Sequence, residues 1–319
     1  MTLQCIVLDD YQQAALGYAD WSTLGAQVAV TVLSEHIDDE DALIERLAQA
    51  DIVVIMRERT PFPAARLRRL PKLRLLITSG LRNASIDLNA ARDCNITVCG
   101  TSSASEPPAE LTWALMLALA RHVPQENAAL RANGRWQSTV GTDLHGATLG
   151  LLGLGKIGKQ VARVGQAFGM KVLAWSPNLT HARTLEAGVV LAPSKEALLE
   201  ASDFVSIHLV LGERSRGLLG AADLARMRRS AFLINTSRAA IVDQDALVQA
   251  LEHGRIAGAG LDVFDLEPLP ADHPFRRLPN VLATPHLGYV SARNYASYFS
   301  GAVEDIAAWL AGAPVRTLT

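Results

Sequence analysis

Short apolar runs separated by amphipathic stretches recur along the chain. CIVLDD (5–10), VAVTVL (28–33), DIVVIM (51–56), LRLLIT (73–78) and ITVCG (96–100) each read as a strand. Between them, residues 38–50 carry Leu43, Ile44 and Leu47 at helical spacing, and 63–70 reads as a second helix. The runs are nearly continuous in apolar residues instead of alternating. Both faces of such strands are buried, which implies a parallel sheet covered by helices on both sides.

A second series begins after Pro107-Pro108. Residues 109–122 are strongly apolar and suit a long buried helix with the prolines at its start, where a missing N–H costs nothing. TLGLLG, MKVLAW (170–175), FVSIHL (204–209), AFLINT (231–236), AGAGLDV (257–263) and NVLATP (280–285) then supply six strands with helices between. That number suits a full doubly wound nucleotide fold. The last segment, 291–310, reads as a helix ending at Gly312 and Pro314, too short for a domain, so it is expected to pack back on the first series. The expectation is a discontinuous first domain, 1–101 plus 287–319, around an inserted domain over 102–286.

Composition adds mostly exclusions. At 319 residues and 49% hydrophobic the chain can bury two cores. A net charge of −2 with mixed signs gives no electrostatic case for nucleic acid or an anionic membrane. Cys5, Cys94 and Cys99 form no CxxC pair, which speaks against a metal site and suits a reducing compartment. MTLQCIVLDD lacks the basic and apolar regions of a secretory signal, and the longest apolar stretch, near 111–120, is too short to span a bilayer. A cytoplasmic protein is expected.

The run at 148–152 leads directly into Gly153-Leu154-Gly155-Lys156-Ile157-Gly158, followed by a helical pattern to Phe168. In a dinucleotide-binding turn the first glycine permits the tight turn, the second lets backbone N–H groups approach a pyrophosphate, and the third lets helix pack on strand. The anion sits at the helix N-terminus, where unpaired N–H groups and the macrodipole favour it. Downstream, Arg238, Glu267 and His286 each follow an apolar strand, and ligands of open α/β sheets bind beyond the strands' carboxyl ends. Their chemistry fits hydride transfer to a 2-oxo acid. A guanidinium pairs bidentately with a carboxylate. An imidazole gives the carbonyl oxygen its proton near neutral pH. A carboxylate on the other ring nitrogen would fix the tautomer and favour the protonated ring.

At NTSRAAIVD (235–243), DVFDLEP (262–268) and TPHLG (284–288) the sequence resembles the D-isomer-specific 2-hydroxyacid dehydrogenase family, over nearly its whole length. The resemblance implies a nucleotide-binding (Rossmann) domain inserted into a flavodoxin-like catalytic domain, both doubly wound α/β. It implies that Arg238 binds substrate, Glu267 supports the histidine and His286 is the acid/base. Gly153, Gly155 and Gly158 would hold the pyrophosphate and Asp262 the nicotinamide carboxamide, with Lys156, Ile157, Ser176 and Thr236 also at the cofactor. A homodimer is implied, with the helix at 109–122 at its interface.

Several positions depart from the family pattern. Ser176 stands where an acidic residue usually binds the adenosine ribose; NAD is expected, but NADP stays open, and the nearest arginine along the chain is Arg183. A loop whose amides cradle the substrate carboxylate reads Gly80-Leu81-Arg82-Asn83 here. Arg82 there is either a second cation for the substrate's far end or a solvated side chain. Arg57 and Arg59 also fall at the substrate loop, Ala239 replaces a glycine, Val210 a proline, and Tyr289 a small residue. Two functions follow: a reductase of small 2-oxo acids such as glyoxylate or hydroxypyruvate, or a dinucleotide-sensing, corepressor-like binding protein. Formate dehydrogenase chemistry is disfavoured because it places Gln where Glu267 stands.

Overall fold

The computed structural model describes residues 2–318. The chain divides into a terminal unit, 1–104 with 291–319, and a central unit, 105–290. The expected junctions lay a few residues earlier, and local bonds explain the difference. Asn294 Oδ1 accepts from Ala104 N and Ser297 Oγ donates to the Ser102 carbonyl, which ties 102–104 to the terminal unit. The amides of Leu287 and Gly288 donate to Asp262, which keeps them in the central one.

The terminal unit holds β1 (Leu3–Val7), β2 (Val28–Val32), β3 (Ile52–Ile55), β4 (Leu75–Thr78) and β5 (Thr97–Gly100). They form a five-stranded parallel sheet in the order β2-β1-β3-β4-β5, a flavodoxin-like winding. Strands β3 and β4 are buried throughout, as their continuous apolar runs require. The helices Glu40–Leu47 and Leu88–Asp93 begin where Asp39 and Asp87 accept from the amides of Ala42 and Ala90, satisfying orphan donors of the first turn. The C-terminal helix, Ala292–Leu310, capped by Ser291, packs on β4 and β5. Burial pushes the Cys5 and Cys99 thiols up to about 12, so both behave as small core hydrophobes.

The central unit holds β6 (Thr148–Leu152), β7 (Lys171–Trp175), β8 (Val190–Leu191), β9 (Phe204–Ile207), β10 (Phe232–Asn235), β11 (Gly258–Leu261) and β12 (Val281–Ala283). Seven strands, not six, lie parallel in the order β12-β11-β10-β9-β6-β7-β8. The added β8 is a two-residue edge strand beside β7, too short to display any hydrophobic period. The chain leaves β6 to one side and returns to β9 on the other, so the switch point of the sheet lies at the carboxyl ends of β6 and β9.

The long apolar helix spans Glu106–Ala120, with Pro107 in its first turn. It packs on β10 and β11, and Gly260 makes that approach possible: a Cβ there would meet Leu115 and Leu119 at 3.1 Å. Beyond Ala120 the helical pattern does not simply run on. His122 turns to φ 52 and a second helix, Val123–Arg131, follows, with Pro124 in its first turn.

Candidate active site

The glycine turn sits at the switch point. Gly153 has φ +103, a region that favours glycine, and its N–H donates to the Trp175 carbonyl at 2.9 Å. A Cβ on Gly158 would lie 2.2 Å from the Gly153 carbonyl oxygen, so the third glycine is where helix and strand touch. A Cβ on Gly155 would meet nothing within 4 Å. Open space over that residue, at the start of the helix Lys156–Ala167, is what a pyrophosphate needs. Lys156 is exposed and Ile157 half-buried on the first turn of that helix. On the other side of the turn, His208 N donates to the Leu152 carbonyl at 2.8 Å and its Nε2 bonds Ser206 Oγ at 2.9 Å. Burial pushes the His208 imidazole down to about 4, which keeps the wall of the turn uncharged at neutral pH. The sequence reading did not single His208 out.

Beyond the carboxyl ends of β11 and β12 of the same sheet, His286 Nδ1 lies 2.7 Å from Glu267 Oε2. Oε1 of that carboxylate accepts from the Phe264 amide at 2.8 Å, so Glu267 is itself oriented. Both side chains remain partly open, 20% and 32% exposed. His286 adopts φ 51, strained for a side-chain-bearing residue. Asp262 holds the loop in that shape. Its buried carboxylate accepts from Thr284 Oγ1 at 2.6 Å, Leu287 N at 2.7 Å and Gly288 N at 2.8 Å. Burial raises its pKa above the ordinary carboxylate range, and those hydrogen bonds pull against the shift. Asp262, expected at the nicotinamide, thus has both oxygens engaged by the histidine loop. Tyr289 is buried and meets the His286 ring edge-on, with centroids 5.3 Å apart.

Arg238 lies in the turn after β10, half-buried, its Nη1 donating to the Ser237 carbonyl at 2.7 Å. That turn is shaped by buried Asn235, whose amide donates to the Arg238 carbonyl at 3.0 Å while its oxygen accepts from Ser237 N at 3.0 Å. Asn235 opens the NTSRAAIVD segment, but nothing short of the fold marks it as the brace for Arg238. Thr236, expected at the cofactor, bonds Thr112 of the long helix at 2.8 Å. Ser176, half-buried just past β7, borders a cleft of about 510 Å³.

In the terminal unit Gly80 has φ +89, but its N–H donates to Thr101 Oγ1 at 3.2 Å. Leu81 and Arg82 are exposed. Asn83 braces the loop, donating to the Arg57 carbonyl at 2.8 Å and to Thr78 Oγ1 at 2.9 Å. The guanidinium lying against Gly80 belongs to Arg57, whose Nη1 would sit 2.7 Å from a Cβ placed there. Arg59 is turned to the Asp9 carbonyl and the Tyr11 ring. Among the described residues no group of three or more His, Cys, Asp or Glu is placed to hold a metal ion.

The sequence profile described as D-isomer specific 2-hydroxyacid dehydrogenase, NAD binding domain, matches residues 113–288. The chain belongs to this family. Over 288 residues it is 36% identical to a glyoxylate reductase of Korarchaeum cryptofilum, covering 88% of this chain and 83% of that one. It is also 36% identical to a D-3-phosphoglycerate dehydrogenase of Methanocaldococcus jannaschii over 78% of its length, while spanning only 48% of that longer protein. A crystal structure of a putative D-3-phosphoglycerate dehydrogenase from Ralstonia solanacearum matches with a TM-score of 0.94 at 37% identity, covering 99% of this chain and 97% of that one. This D-2-hydroxyacid dehydrogenase is therefore an NAD-dependent oxidoreductase acting on CH–OH donors. The open, glycine-lined turn at the switch point fits the cofactor.

Proposed function

We propose that this dehydrogenase reduces a small 2-oxo acid of the glyoxylate or hydroxypyruvate kind, with His286 as acid, Glu267 orienting it and Arg238 pairing with the substrate carboxylate. The His286–Glu267 bond of 2.7 Å carries the reading. Bound NADH supplies the hydride that reaches the carbonyl carbon. With Nδ1 committed to Glu267, Nε2 is the ring nitrogen that donates to the carbonyl oxygen. The product is the 2-hydroxy acid, and the neutral ring regains its proton from water. Arg238 suits carboxylate pairing through its fork of donors, held by a turn that Asn235 braces. In the terminal unit, the loop of Gly80, Leu81 and Arg82 is the further substrate-binding segment of this reading.

A second part of the reading is a homodimer, supported by the exposed apolar side chains of Val123, Leu130, Trp136 and Val140 on one stretch of chain. Three free cysteines suit a cytoplasmic setting. No described helix is long and apolar enough to cross a membrane.

The deciding experiment is turnover of NADH with a panel of small 2-oxo acids, alongside H286A. The wild type should oxidise NADH with at least one of them. H286A should lose at least about a hundredfold in kcat, the usual contribution of a positioned acid, while binding NADH as before. Turnover that survives in H286A removes the acid/base assignment. A wild type that binds NADH but turns over nothing favours the dinucleotide-sensing alternative.

A further inference from the structure

Strand β7 ends at Trp175, and Ser176, Pro177 and Asn178 follow. No carboxylate stands here to grip the two hydroxyls of an adenosine ribose, or to repel a phosphate on one of them. Along the chain the next cation after Ser176 is Arg183, but the fold brings up another. The segment after β9 returns to the same cleft, and Arg214 lines it together with Ser176 and Asn178. The Arg214 guanidinium reaches the Asn178 side-chain oxygen, at 3.4 Å or, with the amide turned over, at 3.2 Å.

The arginine is presented on a fixed loop. Ser215 Oγ accepts from the Gly212 amide at 2.9 Å and donates to the Val210 carbonyl at 2.8 Å, and Ser215 N donates to the Gly212 carbonyl at 3.0 Å. Ser215 is buried while Arg214 is exposed, so the loop is anchored by one residue and aims its neighbour at solvent in the cleft. A hydroxyl, a carboxamide and a guanidinium thus border one cleft at the position where the second strand of the fold meets the ribose. That donor set matches a phosphate monoester: the guanidinium supplies charge and paired N–H groups, and the two neutral groups supply further hydrogen bonds. Glu213 also lines the cleft, so its single negative charge opposes the guanidinium in part.

We infer that Ser176, Asn178 and Arg214 form a 2′-phosphate subsite, so that this dehydrogenase takes NADP(H) as well as NAD(H). The inference rests on the reading that the glycine turn of the central unit holds the dinucleotide. It extends that reading by assigning the cation to the loop after β9, not to the segment after β7.

Calorimetric titration of the full-length protein with NAD⁺, NADP⁺, 5′-AMP and adenosine 2′,5′-bisphosphate tests it without relying on turnover. NADP⁺ should bind at least as tightly as NAD⁺, and the bisphosphate more tightly than 5′-AMP. R214A should weaken NADP⁺ by about ten- to a hundredfold, the worth of a charge-assisted hydrogen bond, and leave NAD⁺ within about twofold. S176D, which puts a carboxylate where it repels the phosphate and can grip the ribose hydroxyls, should weaken NADP⁺ and tighten NAD⁺. Tighter binding of NAD⁺ than NADP⁺ by the wild type overturns the subsite, as does an R214A variant that affects both dinucleotides equally or neither. If neither dinucleotide binds, the nucleotide-binding reading falls with the subsite; NAD⁺ bound and NADP⁺ rejected removes the subsite alone.

Discussion

His286 is held by bonds at two levels. Glu267 fixes its ring through Nδ1, and Asp262 fixes the backbone that gives it φ 51. Arg238 is treated in the same way by Asn235. In the proposed reaction such support keeps both groups within a few tenths of an ångström, and misplacement there costs rate steeply. E267Q separates the two levels. It keeps the shape and the Phe264 bond but removes the negative charge beside the imidazole. The carboxylate that sets the ring's tautomer is then gone, so kcat should fall in E267Q while NADH binding stays as in the wild type. A wild-type kcat in E267Q would show that Glu267 does not position the histidine. In the sequence, Arg238, Glu267 and His286 were legible because each is a charged or titratable residue just after an apolar run. Asn235, Asp262 and Arg214 were not legible in these roles, because what they do depends on which backbone or side-chain groups the fold brings within 3.5 Å of them.

At the scale of elements, the strands were the most legible feature, since parallel strands buried on both faces must be apolar throughout. The exception was β8, two residues long. Helix ends were less legible. The helix expected over 109–122 covers Glu106–Ala120, and His122 turns the chain into a separate helix. The junction of β6 with the helix Lys156–Ala167 depends on Gly158, whose Cβ position is occupied by the Gly153 carbonyl. G158A should force helix and strand apart. We expect a loss of about 1–3 kcal/mol, visible as a lowered melting temperature, together with weakened NADH binding. Wild-type melting and wild-type NADH affinity in G158A would show that the turn can yield without cost.

For the molecule as a whole, the mid-chain position of the glycine turn announced an inserted domain, and the chain does divide at 104/105 and 290/291. The apolar side chains of 123–140 are 54% exposed at Val123, 60% at Leu130, 75% at Trp136 and 93% at Val140. Exposed apolar groups of that size on one stretch are costly in a monomer and are commonly covered by a second copy. Light scattering coupled to size exclusion should give a dimer mass, and a W136D/V140D double variant should shift it toward the monomer. A wild-type monomer at micromolar concentration would rule out the dimer.

The sequence by itself determined the two parallel α/β sheets, the dinucleotide turn and the three residues proposed for catalysis. These are encoded locally: apolar runs, glycine spacing and polar residues at strand ends follow from backbone geometry over a few neighbouring positions. Only the tertiary structure decided which residues hold those three in place, where each unit begins and ends, and that Arg214 shares a cleft with Ser176. Such pairings join positions far apart in the chain, and no period or propensity within either segment encodes them.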